Sequence, residues 1–338
     1  MHTKIWAHTR SADGRRAKEP RVQSKQTPRS PSSSMSSSPP AHSALLQSLL
    51  ARASDGPSSS MPRAASASAP APAPAPAPAP LHIAIVTPAQ GGELPLPYVK
   101  SLMATGEALR AAGARMTPHF ATASVSAALT RNALVALALA DPSVTHVLSV
   151  GADVAWRPAD VLRLVRHGRE VVGAACPSAN YHWGRTTNAA LSSLEAAAAV
   201  QPHLAGLPLT SALRHHLVDY EVAPLEGGRL TLEGGVTEVA SLSASFLLLS
   251  RAALLRLQEG SRYEDPTGLT PAGSETHALF EGSRDSGGRY LSEGEGLCRR
   301  WQALGGAVHA DFAVELHRTG VEQYAGRMLS LLRFGGGT

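Results

Sequence analysis

The stretch that decides the fold is Thr145-His146-Val147-Leu148-Ser149-Val150-Gly151-Ala152-Asp153. The residues through Val150 form a short, mostly apolar run, which is typical of a strand buried on both faces of a parallel sheet. Gly151 ends the run, and Asp153 follows two residues later. In open α/β sheets, ligands bind outside the carboxyl ends of the strands, so Asp153 is placed to reach one. It can also simply shape the turn or cap the helix that begins near Pro158.

Strand and helix patterns alternate on both sides of this stretch. This alternation predicts an α/β domain with a mainly parallel, doubly wound central sheet. The predicted strands are 81–88, 116–121, 145–150, 170–174, 243–249 and 307–316, with further strands over 218–239 around a Gly227-Gly228 turn. The predicted helices are 97–113, 127–140, 157–167, 251–258 and 292–304; 186–217 is expected to be helical or variable, and 260–288 rich in loops.

A change of composition marks the start of the predicted domain. Residues 1–80 are rich in Ser, Pro, Ala and Arg and hold few large apolar side chains, ending in an Ala-Pro repeat over 69–80. Such a segment buries too little surface to offset its backbone entropy, which predicts a disordered tail. The domain is expected over 81–330, and 331–338 is expected to be a flexible C-terminus.

The charge distribution argues against nucleic acid as a partner. The net charge is +5, yet eight Lys or Arg lie between Met1 and Arg29, against Asp13 and Glu19. The predicted domain is therefore nearly neutral, whereas a nucleic-acid-binding domain carries its basic patch on the fold. No apolar run is long enough for a membrane span. The sequence assigns no compartment: a soluble cytoplasmic protein is the default, and the Ser- and Arg-rich tail leaves organellar targeting open.

Two further patterns limit the chemistry. Cys176 and Cys298 are far apart in apolar stretches, which predicts buried thiols rather than a disulfide framework or a zinc site. After the first predicted strand, Gly91-Gly92 leads into Glu93-Leu94-Pro95. No G-x-G-x-x-G sequence follows, and no helix start is prepared for a phosphate. This argues against a Rossmann-type enzyme of another class.

The ordered set of short motifs from Leu81 to Gly326 resembles GT-A glycosyltransferases, in particular small bacterial and viral glycosyltransferase-like proteins. No single motif is diagnostic; their order and spacing carry the resemblance. The motifs are Thr87-Pro88, Gly91-Gly92, Tyr98-Val99, Thr130-Arg131-Asn132, Thr145-His146, Val171-Val172-Gly173-Ala174, Cys176-Pro177, Ser243-Ala244-Ser245-Phe246, Tyr290-Leu291-Ser292-Glu293, Cys298-Arg299-Arg300-Trp301 and Leu304-Gly305-Gly306.

The resemblance implies a nucleotide sugar as donor, a glycan or other hydroxyl compound as acceptor, and Mn²⁺ or Mg²⁺ on the diphosphate. An Asp-x-Asp motif in these enzymes serves the ribose and the metal, and Gly151-Ala152-Asp153 matches it without the first acid. The resemblance thus assigns Asp153 and His317 to the metal, with His317 one residue farther from its glycine than is usual. It assigns the nucleotide to Thr87, Pro88, Arg131, Asn132, Ala152 and Asp153.

The catalytic acids are the second departure from the family pattern. Where the group has Ser-Glu-Asp, this chain has Ser292-Glu293-Gly294-Glu295, so Gly294 stands at the position of the usual base. Glu293 and Glu295 remain as candidates to deprotonate the acceptor. Ser292 and Glu295 also have the spacing of a helix capping box.

The resemblance therefore leaves two functions open. One is a metal-dependent glycosyltransferase; the other is a glycosyltransferase-like binding protein without catalysis, which the two Gly substitutions favour. The aromatic residues are equally open between stacking on a ligand and packing in the core. They are Trp156, Tyr181, His182 and Trp183.

Overall fold

The computed structural model describes residues 80–122, 126–182, 209–225, 235–320 and 323–326. They all belong to one compact unit of the chain. The predicted tail, Trp183, the Gly227-Gly228 turn and the C-terminus from 331 lie outside the described residues.

The helices and strands follow the predicted order. The helices are α1 Leu96–Ala111, α2 Ala127–Leu139, α3 Pro158–Arg166, α4 Leu209–Leu217, α5 Arg251–Leu257 and α6 Glu293–Ala303, with a short 3-10 turn at Gln90–Gly92. The strands are β1 His82–Ala89, β2 Arg115–Thr122, β3 His146–Val150, β4 Val154–Ala155, β5 Val171–Ala174, β6 Pro177–Tyr181, β7 Val218–Tyr220, β8 Val222–Ala223, β9 Val236–Val239, β10 Ser241–Leu242, β11 Phe246–Ser250, β12 Arg262–Tyr263, β13 Thr276–His277, β14 Ser283–Arg284, β15 Tyr290–Leu291, β16 Val308–Asp311, β17 Leu316–Thr319 and β18 Gln323–Gly326.

A seven-stranded sheet of order β2-β1-β3-β11-β5-β16-β9 forms the centre of the domain. Strands β1, β2, β3, β5 and β16 run in one direction, which confirms the predicted mainly parallel α/β architecture. Strands β9 and β11 run the opposite way. The chain passes from β1 to β2 on one side and then to β3 on the other, so the strand order reverses between β1 and β3. Ligands bind at such switch points in open α/β sheets.

Strand β11 is inserted antiparallel between β3 and β5, with Phe246 opposite Val150 and Ser250 opposite His146. The residues just before β11 therefore lie at the carboxyl end of β3. Ser243 to Leu249 was predicted as a strand, but an apolar run carries no sign of its direction. That direction brings Ser243 and Ser245 to the edge of the sheet where Asp153 lies.

The core lies on both faces of the sheet. Alternate residues of β1 point to opposite faces, with Ala84 and Val86 in one apolar cluster and Ile83 and Ile85 in the other. Both cysteines are buried and unpaired, as predicted, and burial raises the pKa of Cys298 to about 12. In the part of the chain that the structure describes, no helix has both the length and the apolarity to cross a bilayer.

Candidate functional site

A cavity of about 290 Å³ opens at the carboxyl edge of the sheet. Three segments meet there: the first part of α2, the first turn of α6 and the turn before β11. Each of these elements begins at the carboxyl edge and runs from it toward the opposite edge of the sheet. The volume lies near the lower limit of small-molecule sites, about 300 Å³. We call this cavity the edge pocket; it is lined by Arg131, Ser243, Ala244, Ser245, Tyr290, Ser292, Glu293 and Gly294.

Arg131 and Glu293 form an ion pair in the wall of the edge pocket. Arg131 Nη1 donates to Glu293 Oε2, and the guanidinium lies 5.2 Å from the centre of the Phe280 ring. The Arg131 side chain is 6% exposed and that of Glu293 is 30% exposed, so the acid is the solvent-facing member. Among the described residues, nothing accepts a hydrogen bond from the buried Nε of Arg131. The pair places a cation and a carboxylate together in the wall of the edge pocket.

Gly294 allows the first turn of α6 to lie directly against the main chain before β11. A Cβ at this position would come within 2.3 Å of Leu242 O and 2.6 Å of Ala244 N. Real Cβ atoms do not approach backbone so closely, so a side chain here requires the helix to move. The structure thus gives a physical reason why the aspartate expected from the resemblance is absent.

Glu295 has a structural role in this arrangement. Ser292 N donates to Glu295 Oε2 at 2.8 Å, and Glu295 N donates to Ser292 Oγ at 3.4 Å, which is the predicted capping box. Arg289 Nη1 donates to the other carboxylate oxygen at 2.9 Å. Burial acts to raise the pKa of Glu295, but the bonds from Ser292 and Arg289 outweigh it and lower that pKa. Glu295 is not among the residues that line the edge pocket.

Asp153 lies in a second polar cluster at the same edge, centred on Arg318 of β17. Arg318 Nε donates to Asp153 Oδ2 at 2.8 Å, and Nη1 donates to Glu221 Oε1 and to Pro177 O. We call Asp153, Arg318 and Glu221 the edge triad. Arg318 Nη2 lies 3.5 Å from Ser245 Oγ, and Ser243 Oγ donates to Ser245 Oγ at 2.9 Å. The two serines therefore join the edge triad to the edge pocket.

His317 stands beside Arg318 on β17, where it pairs with Ala155 of β4. Successive side chains of a strand point to opposite faces, so His317 points away from the side on which Arg318 meets Asp153. Among the described residues, no group of three or more His, Cys, Asp and Glu side chains is arranged to hold a metal ion. Asp153 is paired with the guanidinium of Arg318, and the metal roles of Asp153 and His317 stay predictions.

Several residues that the resemblance assigns to the nucleotide make internal contacts. Thr87 is buried in β1, where its hydroxyl is 2.7 Å from the Tyr98 hydroxyl, and Pro88 beside it is buried too. Asn132 bonds both main-chain groups of Phe280, accepting from N at 2.7 Å and donating to O at 3.4 Å. Ala152 is half-buried in the turn after β3. Their ligand roles stay predictions.

The aromatic residues divide between packing and exposure. Trp156 is in the core: its ring meets Tyr98 and Phe246 at centroid distances of 5.4 and 5.8 Å, and its Nε1 donates to a threonine. Tyr181 is also buried. Tyr290, which the sequence did not single out as a stacking residue, is 68% exposed and lines the edge pocket.

The sequence assigned no site role to two members of the edge triad, Glu221 and Arg318, or to the two serines that join the triad to the edge pocket, Ser243 and Ser245. Ser243 and Ser245 share the turn before β11, whereas Glu221 lies between β7 and β8 and Arg318 lies on β17. The signal that was present is the polar Ser-Ala-Ser sequence immediately before an apolar strand. Strand direction then decides whether those hydroxyls meet Asp153 or lie at the opposite edge.

Comparison with known proteins identifies no family. No protein-family model matches the chain, and no curated protein is significantly similar to it. Among solved structures, the chain is similar to A197 from STIV, with a TM-score of 0.39 and 9% sequence identity over 73% of this chain and 94% of that one. A likeness of this size does not establish a shared activity.

Proposed function

We propose that this chain is a glycosyltransferase that binds a nucleotide sugar at the carboxyl edge of its sheet and transfers the sugar to an acceptor hydroxyl. The observation that carries the proposal is the composition of the edge pocket. It combines a buried guanidinium, a partly exposed carboxylate, serine hydroxyls and an exposed tyrosine in one pocket. Hydroxyl-rich and phosphate-bearing ligands are held by such groups.

The proposed transfer uses the Arg131–Glu293 pair. The acceptor oxygen bonds to the anomeric carbon of the sugar, and the bond from that carbon to the diphosphate oxygen breaks. Glu293 takes the proton of the acceptor hydroxyl, and the nucleoside diphosphate departs with the bonding electrons. Glu293 suits the role because it is the carboxylate that lines the edge pocket, whereas Glu295 is held in its capping box.

The first experiment is a binding measurement on the full chain. UDP and GDP, with a sugar conjugate of each, are titrated calorimetrically into wild type and Tyr290→Ala. We expect one of the nucleotides to bind and the variant to bind about fivefold more weakly, because a ring face is lost. Phe120→Ala is the matched control: Phe120 is an exposed aromatic residue on β2 and does not line the edge pocket. Absence of nucleotide binding to wild type would refute the proposal.

A non-catalytic binding protein is the second candidate, and Gly294 favours it. Glycine stands at the position of the usual base in the family that the sequence resembles, and a Cβ at 294 would lie too close to the backbone of Leu242 and Ala244. Release of free nucleoside diphosphate from the bound sugar nucleotide separates the two candidates. Turnover that is lost in Glu293→Gln, with ligand binding retained, supports the enzyme. Binding without any turnover, across a panel of hydroxyl acceptors, supports the second candidate.

A further inference from the structure

We propose that Arg318 is the resident cation of this edge and that ligand binding here does not depend on a divalent metal. The proposal rests on the function proposed above and concerns how the same site balances its charges. Arg318 lies where the chain leaves β3, beside the one acid that remains of the Asp-x-Asp pattern. Its guanidinium thus occupies the surroundings that the resemblance assigns to a metal ion.

The contacts of Arg318 fix its position. The guanidinium donates to carboxylates on two different segments, Asp153 after β3 and Glu221 between β7 and β8, and to the main chain of β6. Its side chain is 13% exposed, against 40% for Asp153 and 34% for Glu221. A planar guanidinium with several donors can join two carboxylates in fixed directions, which a flexible ammonium cannot do equally well.

Electrostatics then disfavour a metal ion at Asp153. A divalent cation bound to Asp153 would stand within a few ångströms of the guanidinium, and like charges at that distance repel strongly outside bulk water. Binding would first require Arg318 to leave both carboxylates. Removing one partner of a partly buried ion pair is costly, because the remaining charges lose their compensation.

Arg318 also reaches the edge pocket through Ser245. Its Nη2 approaches the Ser245 hydroxyl, and that hydroxyl accepts from Ser243, so the two serines lining the pocket are oriented from the edge triad. Arg318 is therefore a positioning residue for the pocket as well as its fixed cation. Arg318 would therefore hold both serines in place without a bound metal ion.

The test on the wild-type full chain has two arms. In the first, Mn²⁺ alone is added to metal-free protein and the thermal unfolding midpoint is followed; we expect no shift. In the second, the Kd of the bound nucleotide is measured in EDTA and in Mn²⁺; we expect the two values to agree within about twofold. A rise in affinity of about tenfold or more with Mn²⁺ would overturn the inference.

Variants of Arg318 give the complementary result. Arg318→Met leaves Asp153 and Glu221 without their cation, so we expect Mn²⁺ to raise its unfolding midpoint by about 3 °C or more. The double variant Arg318→Met/Asp153→Asn should lose that response. Arg318→Lys keeps the charge and should remain insensitive to Mn²⁺. Arg262→Met is the control, because Arg262 forms an exposed pair with Glu275 away from the site.

Each outcome bears on one proposal. A Mn²⁺ response in wild type that disappears in Asp153→Asn refutes the resident-cation inference and leaves the proposed function standing. Failure of every nucleotide to bind refutes the proposed function, while the Mn²⁺-only arm still decides the inference. If Arg318→Met does not fold, the two wild-type arms and Arg318→Lys decide it.

Discussion

At the residue scale, Gly294 shows how one missing side chain shapes the site. Its backbone neighbours, Leu242 O and Ala244 N, belong to the segment that lines the edge pocket. The lack of a Cβ allows α6 to approach that segment, and Glu293 then meets Arg131. The absent acid and the present ion pair are therefore parts of one packing arrangement.

This close contact predicts that Gly294→Ala destabilises the protein by about 1–3 kcal/mol, the usual cost of forcing extra atoms into packed space. Ala is a better helix former than Gly, so without the clash the same change would stabilise the helix. Urea unfolding of the variant measures the sign. Gly287→Ala is the control, since its Cβ would meet only a side-chain oxygen at 3.4 Å. Equal stability of Gly294→Ala and wild type would show that the helix is not held this closely.

At the scale of elements, α6 connects stability to the site. Its N-cap Ser292 and its residue Glu295 satisfy each other's backbone N–H groups, and the acids of the first turn lie at the positive end of the helix dipole. This fixes where the helix begins and hence where Glu293 points. The same turn of the chain lines the edge pocket with Ser292, Glu293 and Gly294.

We therefore expect Ser292→Ala to lower the free energy of unfolding by about 1 kcal/mol, the typical loss of a helix N-cap. Nucleotide affinity should fall in the same variant, because the first turn of α6 would fray. Chemical unfolding and calorimetry measure the two effects. Ser286→Ala, at an exposed serine in the preceding turn, should change neither. A Ser292→Ala variant as stable as wild type would contradict the role of the cap.

At the scale of the whole molecule, one buried and two half-buried histidines make stability depend on pH. Burial lowers the pKa of His82, with a smaller contribution from Arg115, and burial also lowers the pKa values of His119 and His309 below 6.5. The two ring nitrogens of His82 form hydrogen bonds with hydroxyl groups: Nδ1 with Ser143 Oγ at 2.9 Å and Nε2 with Thr117 Oγ1 at 2.8 Å. The folded chain thus favours neutral imidazoles at these positions.

The sign of the effect follows from proton uptake. Between the ordinary value of 6.5 and the lowered pKa values, the unfolded chain binds more protons than the folded one. The stability that the neutral rings confer is present above pH 6.5 and is lost as the pH falls through the folded pKa values. Urea unfolding at about pH 7.5 and about pH 5.5 should show this loss, and His82→Gln should reduce it. A stability that is unchanged or higher at the lower pH would refute the assignment.

The sequence by itself determined the alternation of strands and helices, because apolar periodicity and capping residues act locally. It identified the strand 145–150, the capping box at Ser292 and the burial of both cysteines. These features depend on neighbours a few residues apart, where the chain's own geometry sets the spacing. The tail, the residues around Gly227 and the C-terminus lie beyond what the structure describes, so their predictions stand as they were.

Only the tertiary structure decided which side chains meet. The antiparallel direction of β11 brings Ser243 and Ser245 to the carboxyl end of β3, and β17 brings Arg318 to Asp153 over a separation of 165 residues. An isolated strand sequence does not encode its direction, and an arginine does not reveal which carboxylates it will pair with. The packing of α6 against backbone likewise determines that position 294 holds glycine. The physical reason is that such contacts join segments distant in sequence, whose approach depends on the whole fold.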